Sequence, residues 1–473
     1  MTDGYQQGFA TQDQELSGVS LQVNGLLPSW LQGTLVRNGP AKFEVGEHGL
    51  RHWFDGLAML HSFTIEAGCV QYANKFIDSP SYRYAQEHGR LGYSEFATDP
   101  CRSIFKRVAT LFRPKFGINT SVSVSKLADQ FVAWTEMPHP IEFDPQSLRT
   151  IGVVDFADDL KLHTATPHPH LEPTTGDTIN VSLRFGATSA YVVYKMPANS
   201  SRRQLVASMP VREPAYMHSF ALTDAYVVLA EYPLVVNPRR LLLSGKPFAE
   251  NLQWQPERGT QFLVIRKADG ALVGRYRCPA FFCFHHVNAF EHGDELIVDL
   301  IAYPDANVIQ ALYLDVLREP RADGVVHPPN ELRRYHVPLS GGAVWHETLA
   351  DEWLELPRVN YERCHMRPYR FVYGTGLSKQ RRDDFSNQLV KIDVEQRTAT
   401  AWYEPGCYPG EPVFVPAPHA VEEDEGVVLS VVLDARHNTS FLLVLDGRTF
   451  SEVARAAAPH RIPFGFHGEF FAG

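Results

Sequence analysis

The sequence predicts an all-β chain closed into a seven-bladed β-propeller, with a helical and loop cap over one face. Three observations carry this reading. Hairpins of one layout recur from end to end, no linker or low-complexity tract divides the chain, and the C-terminus is too apolar to be left in water.

In each hairpin an apolar strand ends in an acidic or turn residue, a short polar turn follows, and a second strand leads away. The segments are IEFDPQSLRTIGVVDF (141–156), AYVVYKMPANSSRRQLVASMP (190–210), FLVIRKADGALVGRYRC (262–278), LVKIDVEQRTATAWYEP (389–405) and FLLVLDGRTFSEVARAA (441–457). Alternation of apolar and polar residues around DG or DP turns is the mark of a β-hairpin. Hairpins repeated along a whole chain suggest a radial β-repeat. At roughly 40–70 residues per blade, seven blades suit this length better than four. The competing architecture is a pair of large β-sandwiches. Pro and Gly are spread evenly, so residues 1–473 read as a single domain.

Two segments break the strand rhythm and are read as the cap. DANVIQALYLDVLRE (305–319) carries a helical apolar stripe of Val308, Ala311, Leu312, Val316 and Leu317, and CRSIFKRVATLF (101–112) mixes apolar residues with Lys and Arg.

Charge narrows the partners. Lys plus Arg number 44 against 54 Asp plus Glu, a net charge of -10, which argues against nucleic acid. The six cysteines form no CxxC pair, so neither a disulfide framework nor a zinc ribbon is expected. MTDGYQQGFATQDQELSG has no basic or apolar leader character, and no run of about 18 apolar residues is present. A cytoplasmic protein is expected.

The C-terminal PFGFHGEFF (463–471) places His467 among phenylalanines. Three other histidines keep similar company: His168 in PHPHLEPTTGD, His218 in AYMHSFALTDAYVVL and His285 in FFCFHHVNAFE. Any one of them alone reads as a satisfied core histidine. A propeller, however, brings the inner strands of distant blades to one axis. Four neutral imidazoles meeting there suit iron, copper or zinc. A bond to metal would also explain why the chain end is held.

With those residues in place, the sequence resembles the carotenoid cleavage oxygenase family. The resemblance covers almost the whole chain, from LPSWLQGTLVRNGP (27–40) and HWFDGLAMLHSF (52–63) through the histidine segments to GFHGEFF. It implies a seven-bladed propeller whose cap covers the iron-bearing face, and Fe(II) bound by His168, His218, His285 and His467. His285 rather than His286 fits the family pattern F-H-x-x-N-A, and His168 rather than His170 fits H-P-x-x-[DE]-P. His163 and His170 are left as surface or structural residues. The resemblance further implies three glutamates behind the ligands, matched by Glu136, Glu355 and Glu411. It implies cleavage of an alkene by O2 to two carbonyl products. A small side chain before the first glutamate often crowds one open metal position; Val122 stands there, either in that role or as an ordinary inward strand valine.

Stilbene-cleaving members of the family tend to carry a Lys before the first glutamate and a Tyr upstream. The matching residues here are Thr135 and Phe96, and neither grips a phenolate. Aromatic faces suit the electron-poor carbon of a polyene instead. The stretches EFATDPCRSIFKRVATLF and RRYHVPL are similar to the animal-type branch, with Tyr335 as a further aromatic wall. The expected substrate is therefore an apolar polyene, a carotenoid or apocarotenoid. A stilbene dioxygenase, an isomerohydrolase and a non-catalytic scaffold are the alternatives. Such a substrate enters from a membrane. SIFKRVATLFRPKF (103–116) offers apolar residues (Ile104, Phe105, Val108, Leu111, Phe112, Phe116) beside basic ones (Lys106, Arg107, Arg113, Lys115) for peripheral contact. The alternative for that segment is a cap helix packed on the propeller.

Overall fold

The structure is a computed structural model and describes residues 4–99, 117–186, 188–319, 327–381 and 384–473. The segment 103–116 expected to touch a membrane, and all of 101–112 expected in the cap, lie outside the described residues.

Seven antiparallel sheets of four to six strands follow one another along the chain as seven blades. In chain order they are built on residues 33–76, 123–153, 164–211, 221–278, 286–350, 354–403 and 407–457. All five hairpins read from the sequence form; four are the outermost strand pairs of their blades, and the one at 441–457 lies one strand further in. Three of the turns share a mechanism. In DPQSL, DVEQR and DGRTF the leading Asp accepts backbone N–H groups within the turn, Asp144 from Ser147, Asp393 from Glu395 and Gln396, and Asp446 from Arg448 and Thr449. The fifth residue of each (Leu148, Arg397, Phe450) takes positive φ, at 55°, 55° and 58°. Aspartate favours such turns because its short side chain caps the backbone locally.

Both chain ends close the ring. Val23–Gly25 adds the outer strand of the seventh blade, with Val23 opposite Ala456. Gly468–Ala472 adds the inner strand of the first blade, with Leu35 opposite Phe470. Apolar layers between neighbouring sheets form the core. Leu35, Phe63, Leu429 and Leu442 fill the gap between the seventh and first blades, and Val181, Val193, Leu229 and Leu263 the gap between the third and fourth.

Residues 305–319 do cap the cavity described below, but as two short helices, Asn307–Ala311 and Leu314–Arg318. The backbone between them pairs with residues 51–53 instead: Trp53 N–H donates to Leu312 at 3.0 Å and Leu314 N–H to Arg51 at 2.9 Å. Tyr313 is extended and bridges His52, so tertiary hydrogen bonds override the helical stripe. Tyr335 does not form a wall of the cavity either. It is buried in the fifth blade and stacks on Phe281 at 4.9 Å, away from the cavity.

The terminal segment crosses the first blade with no room to spare. A Cβ on Gly39 would stand 2.3 Å from Gly465 Cα, backbone against backbone. We expect Gly39→Ala to cost about 1–3 kcal/mol by overpacking. Gly49→Ala, where a Cβ meets nothing within 4 Å, is expected to stay within about 0.5 kcal/mol. Chemical denaturation of the two variants checks this; equal stabilities would show that the crossing tolerates a side chain.

Candidate metal centre

Each blade sends one polar side chain toward the axis. His218 lies shortly ahead of Ala221–Leu222, His285 directly ahead of His286–His292, and His467 directly ahead of Gly468–Ala472. His168 lies between Thr164–Ala165 and His170–Leu171. These are inner strands of the fourth, fifth, first and third blades. The remaining three blades supply Glu136, Glu355 and Glu411. Backbone bonds fix the approach: His467 N–H donates to Val122 at 3.0 Å, and its carbonyl accepts from Asn38 at 2.9 Å.

The four imidazoles converge, with their ligand nitrogens within 4.8 Å of one another. Three of them turn Nδ1 outward onto a carboxylate: His218 to Glu136 at 2.8 Å, His285 to Glu355 at 2.6 Å and His467 to Glu411 at 2.7 Å. An ionised carboxylate only accepts, so each Nδ1 carries the proton and each Nε2 a lone pair. His285 Nε2 and His467 Nε2 nevertheless face each other at 3.1 Å, as do His168 Nε2 and His218 Nε2. The first contact joins two acceptors and is no hydrogen bond. A cation between them resolves it: nitrogens bonded at right angles to one metal at about 2.1 Å stand about 3 Å apart. The donor set thus fits a metal, and neutral imidazole suits iron, copper or zinc.

Burial favours the neutral form of three of the imidazoles. It lowers His168 far below the ordinary histidine range, helped by the other three rings, and lowers His218 despite Glu136. It takes His467 to about 4. The carboxylates behind them behave oppositely. Burial opposes ionisation of Glu355, but His285 and Tyr303 outweigh it and hold the pKa below the usual range. Burial opposes Glu411 as well, and Arg358, His467 and Arg37 together push it far down.

Each carboxylate has a further partner that the sequence reading missed. Tyr216 donates its hydroxyl to Glu136, and Tyr303 donates to Glu355 at 2.7 Å. Glu411 receives Gly468 N–H at 2.9 Å and a buried ion pair from Arg37, with Arg358 at 3.6 Å. Tyr216 sits two residues ahead of His218, and Arg37 lies inside the LVRNGP stretch, so both had a local signal. Tyr303 is 52 residues from Glu355 in sequence and had none.

Phe96, Val122, Thr135 and Glu136 all line one cavity together with His218, His285, Glu355 and His467. His163, set aside as surface or structural, lines it as well, with Nδ1 accepting Phe185 N–H at 3.0 Å. Val122 directly precedes the inner strand of the second blade, as His285 and His467 precede theirs in the fifth and first. Aromatic rings run along the wall. Phe96 meets Phe54 at 5.2 Å, Phe54 meets Phe466 at 5.3 Å, and Phe466 meets Trp53 at 4.5 Å. No lysine lines the cavity among the described residues.

The sequence pattern of the family described as "Retinal pigment epithelial membrane protein" matches residues 9–472. A carotenoid-cleaving dioxygenase, mitochondrial, of Mustela putorius furo is 36% identical, over 96% of this chain and 93% of that protein. A beta,beta-carotene 15,15'-dioxygenase of Gallus gallus is 32% identical over 96% and 95%. Among solved structures, those of Synechocystis apocarotenoid oxygenase, one of them cobalt-substituted, superpose with a TM-score of 0.88 at 26% identity, covering 99% of this chain and 98% of theirs.

Two outcomes follow from the electrostatics. Arg37→Met leaves Glu411 buried without its closest cation and is expected to cost about 3–5 kcal/mol. Tyr303→Phe removes one hydrogen bond to a charged group, worth about 1.5–3 kcal/mol. Denaturant unfolding that ranks Tyr303→Phe as the costlier would contradict the ion-pair assignment. The second outcome concerns pH. His467 sits at about 4 in the folded state against 6.5 unfolded, so between those values the unfolded chain binds the extra proton. Buried His52, His170 and His327 are lowered the same way, also by burial. The metal-free protein should therefore keep its Tm above pH 6.5 and lose it steadily as pH falls toward 4. A Tm unchanged across that window would refute neutral burial of these rings.

Proposed function

The chain belongs to the retinal pigment epithelial membrane protein family, the carotenoid oxygenases, and from that premise we propose that it is a non-haem Fe(II) dioxygenase that cleaves one C=C bond of a carotenoid or apocarotenoid with O2. Both oxygen atoms enter the products, one in each new carbonyl group, so the reaction balances without a further reductant. The observation that supports this most is the convergence of four histidines, of which the three backed by a glutamate also line an aromatic cavity. The family is one of enzymes, named in its relatives as carotenoid dioxygenases.

In this reading His168, His218, His285 and His467 hold the iron, which would supply the binding and activation of O2. Glu136, Glu355 and Glu411 fix the tautomers of their histidines and balance the charge of a site whose ligands are all neutral. Val122 limits the space beside the ligands. Phe96, Phe54 and Phe284 present ring faces to the polyene and favour carbon that becomes electron-poor as its double bond breaks. Thr135 adds a hydroxyl to the same wall, and the absence of a lysine among the described lining residues favours a polyene over a phenolic stilbene. No helix among the described residues is long and apolar enough to cross a membrane.

The test is anaerobic reconstitution with Fe(II), followed by a carotenoid, apocarotenal and stilbene panel under isotopically labelled O2, with products read by mass. Polyene cleavage with label in both carbonyls is expected. Turnover of stilbenes alone, or no dependence on iron, would reject the proposal. Glu411→Gln should weaken iron binding or turnover by about 10–100-fold, and unchanged iron content together with unchanged turnover would remove that residue from the site.

A further inference from the structure

The wall that carries Phe96 also carries a carboxyl group that the reading above leaves without a task. Glu95 lines the cavity between Ser94 and Phe96. Its Oε1 accepts from Ser81 Oγ at 2.9 Å, while Oε2 has no hydrogen-bond or ion-pair partner among the described residues. The backbone around it is pinned. Glu95 N–H donates to Thr98 at 2.9 Å, the Phe96 carbonyl accepts from Ala249 at 2.9 Å, and Asp55 accepts Ala97 N–H at 2.9 Å. Gly117 makes the room: a Cβ there would stand 2.5 Å from Ser81 Oγ and 2.6 Å from Glu95 Oε1.

Burial raises the Glu95 pKa to about 8; Ser81 offsets this in part and Asp55 adds to it. Near neutral pH the group is mainly a protonated acid, able to donate through O–H and to accept. A polar group in an apolar wall costs free energy until something bonds to it. The cavity supplies the space for that partner.

We propose that Glu95 binds the oxygenated end of the substrate, a hydroxyl or carbonyl oxygen on a polyene, and so favours oxygenated carotenoid fragments over hydrocarbons. The inference rests on the polyene-cleaving reading of the same cavity. From Glu95 the wall leads to the Phe96 ring, which lies 6.0 Å from Tyr216, itself bonded to Glu136. A polyene tethered at Glu95 would run past Phe54 toward His218 and Phe466, so the tether sets which double bond lies over the histidines.

The experiment measures Kd by quenching of tryptophan fluorescence for three probes of one chain length: a hydrocarbon polyene, its aldehyde, and its ring-hydroxylated form. Wild type, Glu95→Leu and Glu95→Gln are compared, with thermal melts to confirm folding. The wild type is expected to bind at least one oxygenated probe about tenfold more tightly than the hydrocarbon, as one good hydrogen bond allows. Glu95→Leu should erase that advantage and leave hydrocarbon binding unchanged, while Glu95→Gln, which still donates and accepts, should keep most of it. The oxygenated probe that shows the advantage identifies the end bound. A wild type without preference, or an advantage that survives in Glu95→Leu, overturns the proposal. Preference in binding without cleavage of any probe by the iron-loaded enzyme would count against the dioxygenase reading and leave the Glu95 tether standing.

Discussion

Lone pairs pointed at one another across the axis are the constraint around which this molecule is arranged. Glutamates hold the Nδ1 protons of His218, His285 and His467, so those rings cannot relieve the crowding by changing tautomer. Their nitrogens stay close only because seven sheets press the inner strand ends together from all sides. Rigid blades with apolar layers between them make that geometry affordable. The division of labour is strict: four blades bring an imidazole and three bring a carboxylate.

The carboxylates are not equivalent. Glu136 and Glu355 each lean on a tyrosine hydroxyl, a neutral donor. Glu411 instead sits fully buried between two guanidinium groups, Arg37 and Arg358. Arg358 also reaches Glu469 at 3.0 Å and so ties the terminal strand to the same network. The first blade therefore depends on charge where the fourth and fifth depend on neutral hydrogen bonds. A buried ion pair is costly to break from one side, which suits the point where the ring is closed by a loose chain end.

Much of this was legible in the sequence, for identifiable reasons. Three of the five hairpins carry Asp-led turns, at Asp144, Asp393 and Asp446, whose chemistry is local. His168, His218, His285 and His467 stood out because each sits in an apolar strand setting where a histidine needs a partner. The helical stripe at 305–319 misled because periodicity cannot see residues 51–53 arriving to pair with Leu312 and Leu314. Tyr335 misled because an aromatic in a strand packs between blades as readily as it faces a cavity. Tyr303 and the cavity position of His163 had no local signature; both depend on which strands become neighbours in the ring.

The closing strand has a consequence for cooperativity. Gly468–Ala472 completes the first blade from the far side of six other blades in the sequence, and it brings His467 with it. Until that strand docks, the first blade lacks its inner strand and the histidine cluster lacks one member. Closing the ring and assembling the cluster are thus a single event, set by contacts between segments distant in sequence, whose loop-closure entropy is repaid only when the blades between them are in place.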